Sequence, residues 1–204
     1  MDEAIVDAGS DEQRELKFWK QELVSLQALA DYKWRERPGP PEYSLDARDK
    51  QMADNLKWLA DEHFKDRKII VWAASYHIVR DLESIETPEV GLDYDGAVRM
   101  GERVNRFFGD EVFTVGFTTF EGRAGTYFSR GFPVTPAVAG TFEDLCDQAD
   151  LENAVIPLDG EMEGGEWLSA PMFARPMGYS WMRASWPKHF DAMIFNRTMT
   201  QSVK

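Results

Sequence analysis

Three histidines, one cysteine and a loop carboxylate are the side chains here best suited to moving protons or attacking an electrophile. His77 leads them. It follows an apolar, β-branched run in IIVWAASYHIVRD, and a strand that delivers an imidazole at its C-terminal end is a common way for an α/β fold to build a site. Asp81, four residues on, would orient that ring if the loop turns back; the plainer alternative is a packed histidine bonded to a backbone carbonyl. Tyr76 stands beside it as a candidate substrate contact. Glu121, in TTFEGRAGTY, leaves a second strand into a loop whose two glycines allow close approach of backbone to a ligand. Arg123, two residues further, is placed to pair with Glu121 or to bind an anionic or carbonyl oxygen.

The other candidates read as structural. His63 in DEHFKDR sits at a helix end, where a cation favours the dipole and solvent is close, and His189 in WPKHFDA is a weaker case of the same kind. Cys146 lies among acids in TFEDLCDQAD, which raise a thiol pKa, and it has no second cysteine to bridge, so a buried structural thiol is expected. The chain has no GxSxG, HExxH, GxxxxGK[ST] or CxxC, and its histidines are not spaced as a local metal pair. No cofactor is expected.

The elements that must position these groups alternate. Asp11 to about Trp34 is helical, with Leu16, Trp19, Leu23, Leu26 and Ala30 forming one apolar stripe, Ser10 as N-cap and Gln13 as its capping-box partner. RPGPPEYS ends it, because proline removes donors and disfavours the helical region before it. A second helix spans about Leu45 to Glu62, with Arg48, Met52, Asn55 and Leu59 on one face. KIIVWAA, Lys68 to Ala74, reads as a strand covered on both faces. A helix over Ala97 to Phe108, a strand over Glu111 to Thr119, a short acidic helix at Thr141 to Ala149, and strands at Asn153 to Leu158 and Phe190 to Asn196 follow, before a polar tail from Thr198. The fold class is α/β, with buried, largely parallel strands alternating with helices. Residues 1–44 form an N-terminal helix and proline-rich turn, and 45–204 the α/β region, as one domain overall.

Charge narrows the partners. With 36 acidic against 23 basic side chains the net charge is −13, a field that repels nucleic acid and anionic membrane surfaces. Thirteen Phe, seven Trp and six Tyr are far more than a disordered chain carries. MDEAIVDAGSDEQRELK has neither a basic n-region nor an apolar h-region, and no apolar run approaches the roughly 20 residues of a membrane span, so the cytoplasm is the expected location.

Four ordered motifs resemble the C-terminal half of the erythromycin esterase family. RDKQMADNLKWL (Arg48 to Leu59) is similar to the family helix R-[DE]-x-x-M-A-x-N-x-x-W-L, and IIVWAASYHIVRD to its W-A-H-N-x-H-[VI] strand and loop. RMGERVNRFFGDEVFTVGFTTFEG (Arg99 to Gly122) is similar to its M-G helix and following strand, and FDAMIFNRT to its last strand. The resemblance implies a hydrolase that opens a macrolide lactone, an antibiotic-resistance activity, with an activated water in place of a serine nucleophile. His77 would be the site imidazole and Glu121 its carboxylate partner. Ala74 replaces the first histidine of the family's pair and Ser75 its asparagine, and nothing before Arg48 matches the family's N-terminal half. The expectation is therefore a truncated or divided esterase-like member acting on a small-molecule ester. The alternative is a non-catalytic module that pairs with a second copy of itself or with a complementing N-terminal half. A tail cluster, Trp167, Phe173, Tyr179, Trp181 and Trp186, serves either the core or such a contact face.

Overall fold

The computed structural model describes residues 10–35, 42–88, 94–126, 128, 130–159 and 163–202. The prolines expected to end the first helix lie outside the described residues, as does the capping side chain of Ser10. In chain order the elements are α1 (Ser10–Arg35), α2 (Glu42–Trp58), which widens into a π turn at Leu59–His63, α3 (Ser75–Ile78) and α4 (Met100–Phe108). These are followed by β1 (Val115–Ala124), β2 (Phe132–Val134), α5 (Phe142–Gln148), β3 (Asn153–Pro157), β4 (Met172–Ala174), β5 (Met182–Ala184) and β6 (Ala192–Met199). No helix among the described residues is long and apolar enough to cross a membrane.

Polar groups dock α1 on α2. The Asn55 side-chain oxygen accepts from Gln21 Nε2 at 2.8 Å, Ser25 Oγ at 3.1 Å and Gln51 Nε2 at 2.9 Å. The face turned toward α2 thus runs through Phe18, Gln21, Ser25 and Ala28, while Trp19, Leu23 and Leu26 of the expected apolar stripe are each more than half exposed. Periodicity identified the helix, but an apolar stripe needs something to cover it, and no described element does so. In α2 the buried line is one residue round from the expected one: Asp49 and Ala53 are fully buried and Arg48 is exposed. Residues 48, 52 and 55 face α1; 49 and 53 face α4, where Ala53 packs with Met100 and Val104.

The fold is α/β, with strand order β2-β1-β6-β3. The sheet is mixed: β1 and β6 run parallel, with Val115 opposite Ala192, while β2 and β3 join as antiparallel edges. One face carries the main core, in which Met193, Phe195, Phe190, Phe142 and Trp186 are at most 1% exposed. The other face leaves Phe117 partly and Val155 largely in solvent. β4 and β5 form a separate antiparallel hairpin. Of the aromatic tail cluster, Trp186 is core, Trp181 lies over the Arg175 guanidinium, and Trp167 and Phe173 are exposed.

Two expectations fail here for a physical reason. Residues 68–74 join no described ladder; Ile70 is 93% and Trp72 84% exposed, and the Trp72 ring meets Phe117 edge-on at 5.3 Å. An apolar run signals a strand that wants covering without specifying what covers it. His189 is no surface residue: it is 1% exposed, its Nδ1–H donates to the Arg80 carbonyl at 2.7 Å, and burial pushes its pKa down. Cys146 is buried as expected, and burial, then the neighbouring Glu143 carboxylate, push its thiol up to about 12.

Candidate functional site

His77 lies in the single turn of α3, and what holds it is Asp49 from α2. The Nδ1 atom is 2.9 Å from Asp49 Oδ1 and 3.1 Å from Oδ2. An ionised carboxylate has no proton to give, so Nδ1–H donates and the lone pair falls on Nε2. Asp49 is completely buried and the His77 side chain 16% exposed, so the carboxylate sits behind a ring that still reaches solvent.

A third element meets the same carboxylate. The first backbone N–H of α4, on Met100, donates to Asp49 Oδ1 at 3.0 Å, which places a negative charge at a helix N-terminus, where the dipole favours it. Arg99, just before that helix and 4% exposed, brings Nη1 to 3.9 Å from Asp49 Oδ2, and its Nη2 donates to the Tyr76 hydroxyl. The Arg99 guanidinium also lies over the Tyr76 ring, 4.6 Å from its centroid.

Close approach of α3 and α4 makes this convergence feasible, and Gly101 makes the approach feasible. A Cβ there would lie 1.9 Å from the Ile78 carbonyl oxygen and 2.2 Å from its carbon. The turn is held from behind as well. Arg80 Nη1 donates to Asp191 Oδ1 at 2.9 Å and the Arg80 amide to the His189 carbonyl at 3.3 Å, while Asp191 Oδ2 accepts the Thr114 amide at 2.6 Å. The FDAMIF and RMG motifs thus work through Asp191 and Gly101 as parts of the scaffold that fixes His77.

The other expected residues sit differently. Asp81 does not orient His77: its backbone amide donates to Glu102 at 2.8 Å and its carboxylate accepts from Ser84 Oγ at 2.6 Å, and Asp49 takes the role instead. Glu121 lies in β1, the strand that α3 touches, and no described hydrogen bond or ion pair joins it to His77. The Arg123 guanidinium donates to the carbonyls of Arg130 and Gly131 at 2.8 and 3.3 Å, closing the β1–β2 hairpin. Tyr76 is at the site, through Arg99 and an edge contact with His77. Asp49 and Arg99 were not singled out in the sequence; the signal available for Asp49 was its place four residues before Ala53 on one helix face. Among the described residues no three His, Cys, Asp or Glu side chains converge as a metal-binding group.

The erythromycin esterase family model matches residues 1–199, extending back to the start a resemblance read from Arg48 to Arg197. The chain belongs to the erythromycin esterase family. It is 26% identical over 174 residues to "Putative hydrolase YbfO" of Bacillus subtilis (strain 168), covering 79% of this chain and 37% of that protein. Its fold is similar to the crystal structure of a succinoglycan biosynthesis protein, with a TM-score of 0.62, 17% identity, and coverage of 80% of this chain and 41% of the other. A Bacillus cereus protein gives a TM-score of 0.59 at 18% identity, again over 80% and 41% of the two chains. This family member therefore spans about two fifths of the length of the proteins it matches.

Proposed function

We propose that this family member hydrolyses carboxylic esters by water activation at His77, with a macrolide lactone as the substrate class the family name points to. The observation that carries the reading is the buried Asp49 carboxylate on Nδ1, which fixes the tautomer that leaves Nε2 as a base. A water hydrogen-bonded to Nε2 gives up its proton as its oxygen bonds to the acyl carbon. The imidazolium then returns that proton to the departing alkoxide as the acyl C–O bond breaks, leaving a carboxylic acid and an alcohol. Asp49 does not take the proton; it holds the ring and stabilises its charged form, as the acid of a Ser-His-Asp triad does. Erythromycin turnover by the purified chain, followed by mass spectrometry of the ring-opened product, tests this beside His77→Ala. Turnover that vanishes in the variant supports the reading. Turnover equal in both rejects His77 as the base, and none in either rejects this chain as a self-sufficient esterase.

A second reading rests on the uncovered apolar surfaces, the Trp19–Leu23–Leu26 stripe of α1 and the Trp72–Phe117 edge of the sheet. Faces of this kind mark contact with another polypeptide. On this reading the chain is a binding module that pairs with a second copy or with a complementing part of the family fold. Light scattering tests it: a monomer whose mass stays unchanged when that complementing part is added argues against pairing.

A further inference from the structure

Two buried arginines in this fold are treated in opposite ways. Arg175, 2% exposed, spends its guanidinium on the carbonyls of Thr119, Phe120 and Thr135. Arg99 is almost as buried, yet its Nε and Nη1 have no hydrogen-bond partner, and its one short bond goes to Tyr76. Buried guanidinium donors without acceptors are costly, and native folds keep them where a ligand, ion or water completes them. Asp49 does not complete them: it stands 3.9 Å from Nη1, with its oxygens already shared by His77 Nδ1 and the Met100 amide.

We infer that Arg99 is the oxygen-anion contact of the His77 site, binding the carboxylate product of ester hydrolysis and the acyl oxygen that precedes it. The inference rests on the reading of His77 as the base. Chemistry agrees with position: when water attacks an acyl carbon the carbonyl oxygen becomes an oxyanion, and a guanidinium presents paired N–H donors to such a group or to both oxygens of a carboxylate. Asp49 couples the two roles by bordering both the imidazole and the guanidinium. Tyr76 is the cover. Its ring lies over the guanidinium and its hydroxyl holds Nη2, so a carboxylate that takes a two-pronged grip, which needs Nη2 beside Nε or Nη1, must displace that bond. Arg123 has no comparable claim, since both its contacts close a hairpin.

The test is an acetate titration of the full chain read by NMR of arginine Nε–H groups, with the Arg99 signal assigned by its loss in Arg99→Lys. The expected result is a saturable shift of the Arg99 signal, acetate affinity about tenfold weaker in Arg99→Lys, which keeps the charge and loses the fork, and tighter binding in Tyr76→Phe, which frees Nη2. Backbone amide spectra verify that each variant is folded; if Arg99→Lys is not, Tyr76→Phe decides. An Arg99 signal indifferent to acetate overturns the inference, as does an affinity unchanged in both variants. Ester turnover is assayed separately. Acetate binding without turnover removes the hydrolase and leaves the anion site, whereas His77-dependent turnover without an Arg99 response removes this inference alone.

Discussion

Replacing Gly101 by alanine should separate the two helices that build the site. The added methyl meets backbone, not a flexible side chain: Ile78 O at 1.9 Å, Ile78 C at 2.2 Å and Val79 O at 2.8 Å. Restoring an ordinary carbon–oxygen contact of about 3.3 Å requires roughly 1.4 Å of movement between α4 and the α3 turn. The Met100 amide now donates to Asp49 at 3.0 Å. If half or more of that movement falls along the bond, the donor passes beyond the ~3.5 Å reach of a hydrogen bond. Overpacking costs about 1–3 kcal/mol, and loss of a bond to a charged acceptor about 1.5–3 kcal/mol. Together they give roughly 2.5–6 kcal/mol, which for a chain of this size lowers Tm by about 5–24 °C. Differential scanning calorimetry reads the shift, and the histidine Nδ1–H NMR signal reports whether the His77–Asp49 bond survives. A Gly101→Ala chain melting within about 2 °C of wild type would refute the reasoning. It would mean that the helices have room that the backbone geometry denies.

Asp49→Asn keeps the shape and removes the shared anion. It leaves Arg99 buried without a counter-charge at a cost of roughly 3 kcal/mol, read as a lower urea midpoint, and should cut ester turnover by about 10³-fold or more. The pH dependence has two parts of opposite sign. Burial lowers the folded pKa of His189, so below the unfolded value of about 6.5 the unfolded chain binds a proton the fold refuses, and stability falls on acidification. Burial raises the folded pKa of Glu143, so the folded chain binds the extra proton and stability falls as pH rises from the usual carboxylate range through the raised value. The Tm difference between Glu143→Gln and wild type should accordingly grow in the variant's favour as pH rises; a difference flat with pH rejects the Glu143 assignment. Cys146, buried with its pKa pushed up to about 12, should react with a thiol reagent at pH 8 only as fast as the chain unfolds, and prompt labelling of the native protein counts against that burial.

Periodicity and β-branched runs carried the order of elements, because those signals are local: the helix through Val104, the strand through Phe117 and the strand through Phe195 are where hydrophobic spacing puts them. Partner choice is not local. The run at residues 68–74 was expected to be a strand covered on both faces and the stripe on α1 to be an apolar one, yet both are largely exposed, because spacing along a chain does not say which element arrives to cover it. His77 was legible from its place after that run, and Asp81 was the natural orienting group by proximity in sequence. Asp49, 28 positions away, won because Asp81 adopts a left-handed backbone, φ 48°, that turns the chain toward Glu102 and Ser84. An apolar-stripe rule also counts a carboxylate as a solvent residue, so it turned α2 by one position and put Arg48 inward. The same rule fails at each buried charge among the described residues, namely Asp49, Arg99, Glu143 and Arg175. In two of these, Glu143 and Arg175, the hydrogen bonds tie α5 and the residue after β4 to the middle of β1. The other two border the His77 imidazole. The first pair bonds to this chain's own backbone and hydroxyl groups, although Glu143 Oε2 is left without a hydrogen-bond partner. The second pair differs in place: beside that imidazole, Arg99 Nε and Nη1 have no hydrogen-bond partner.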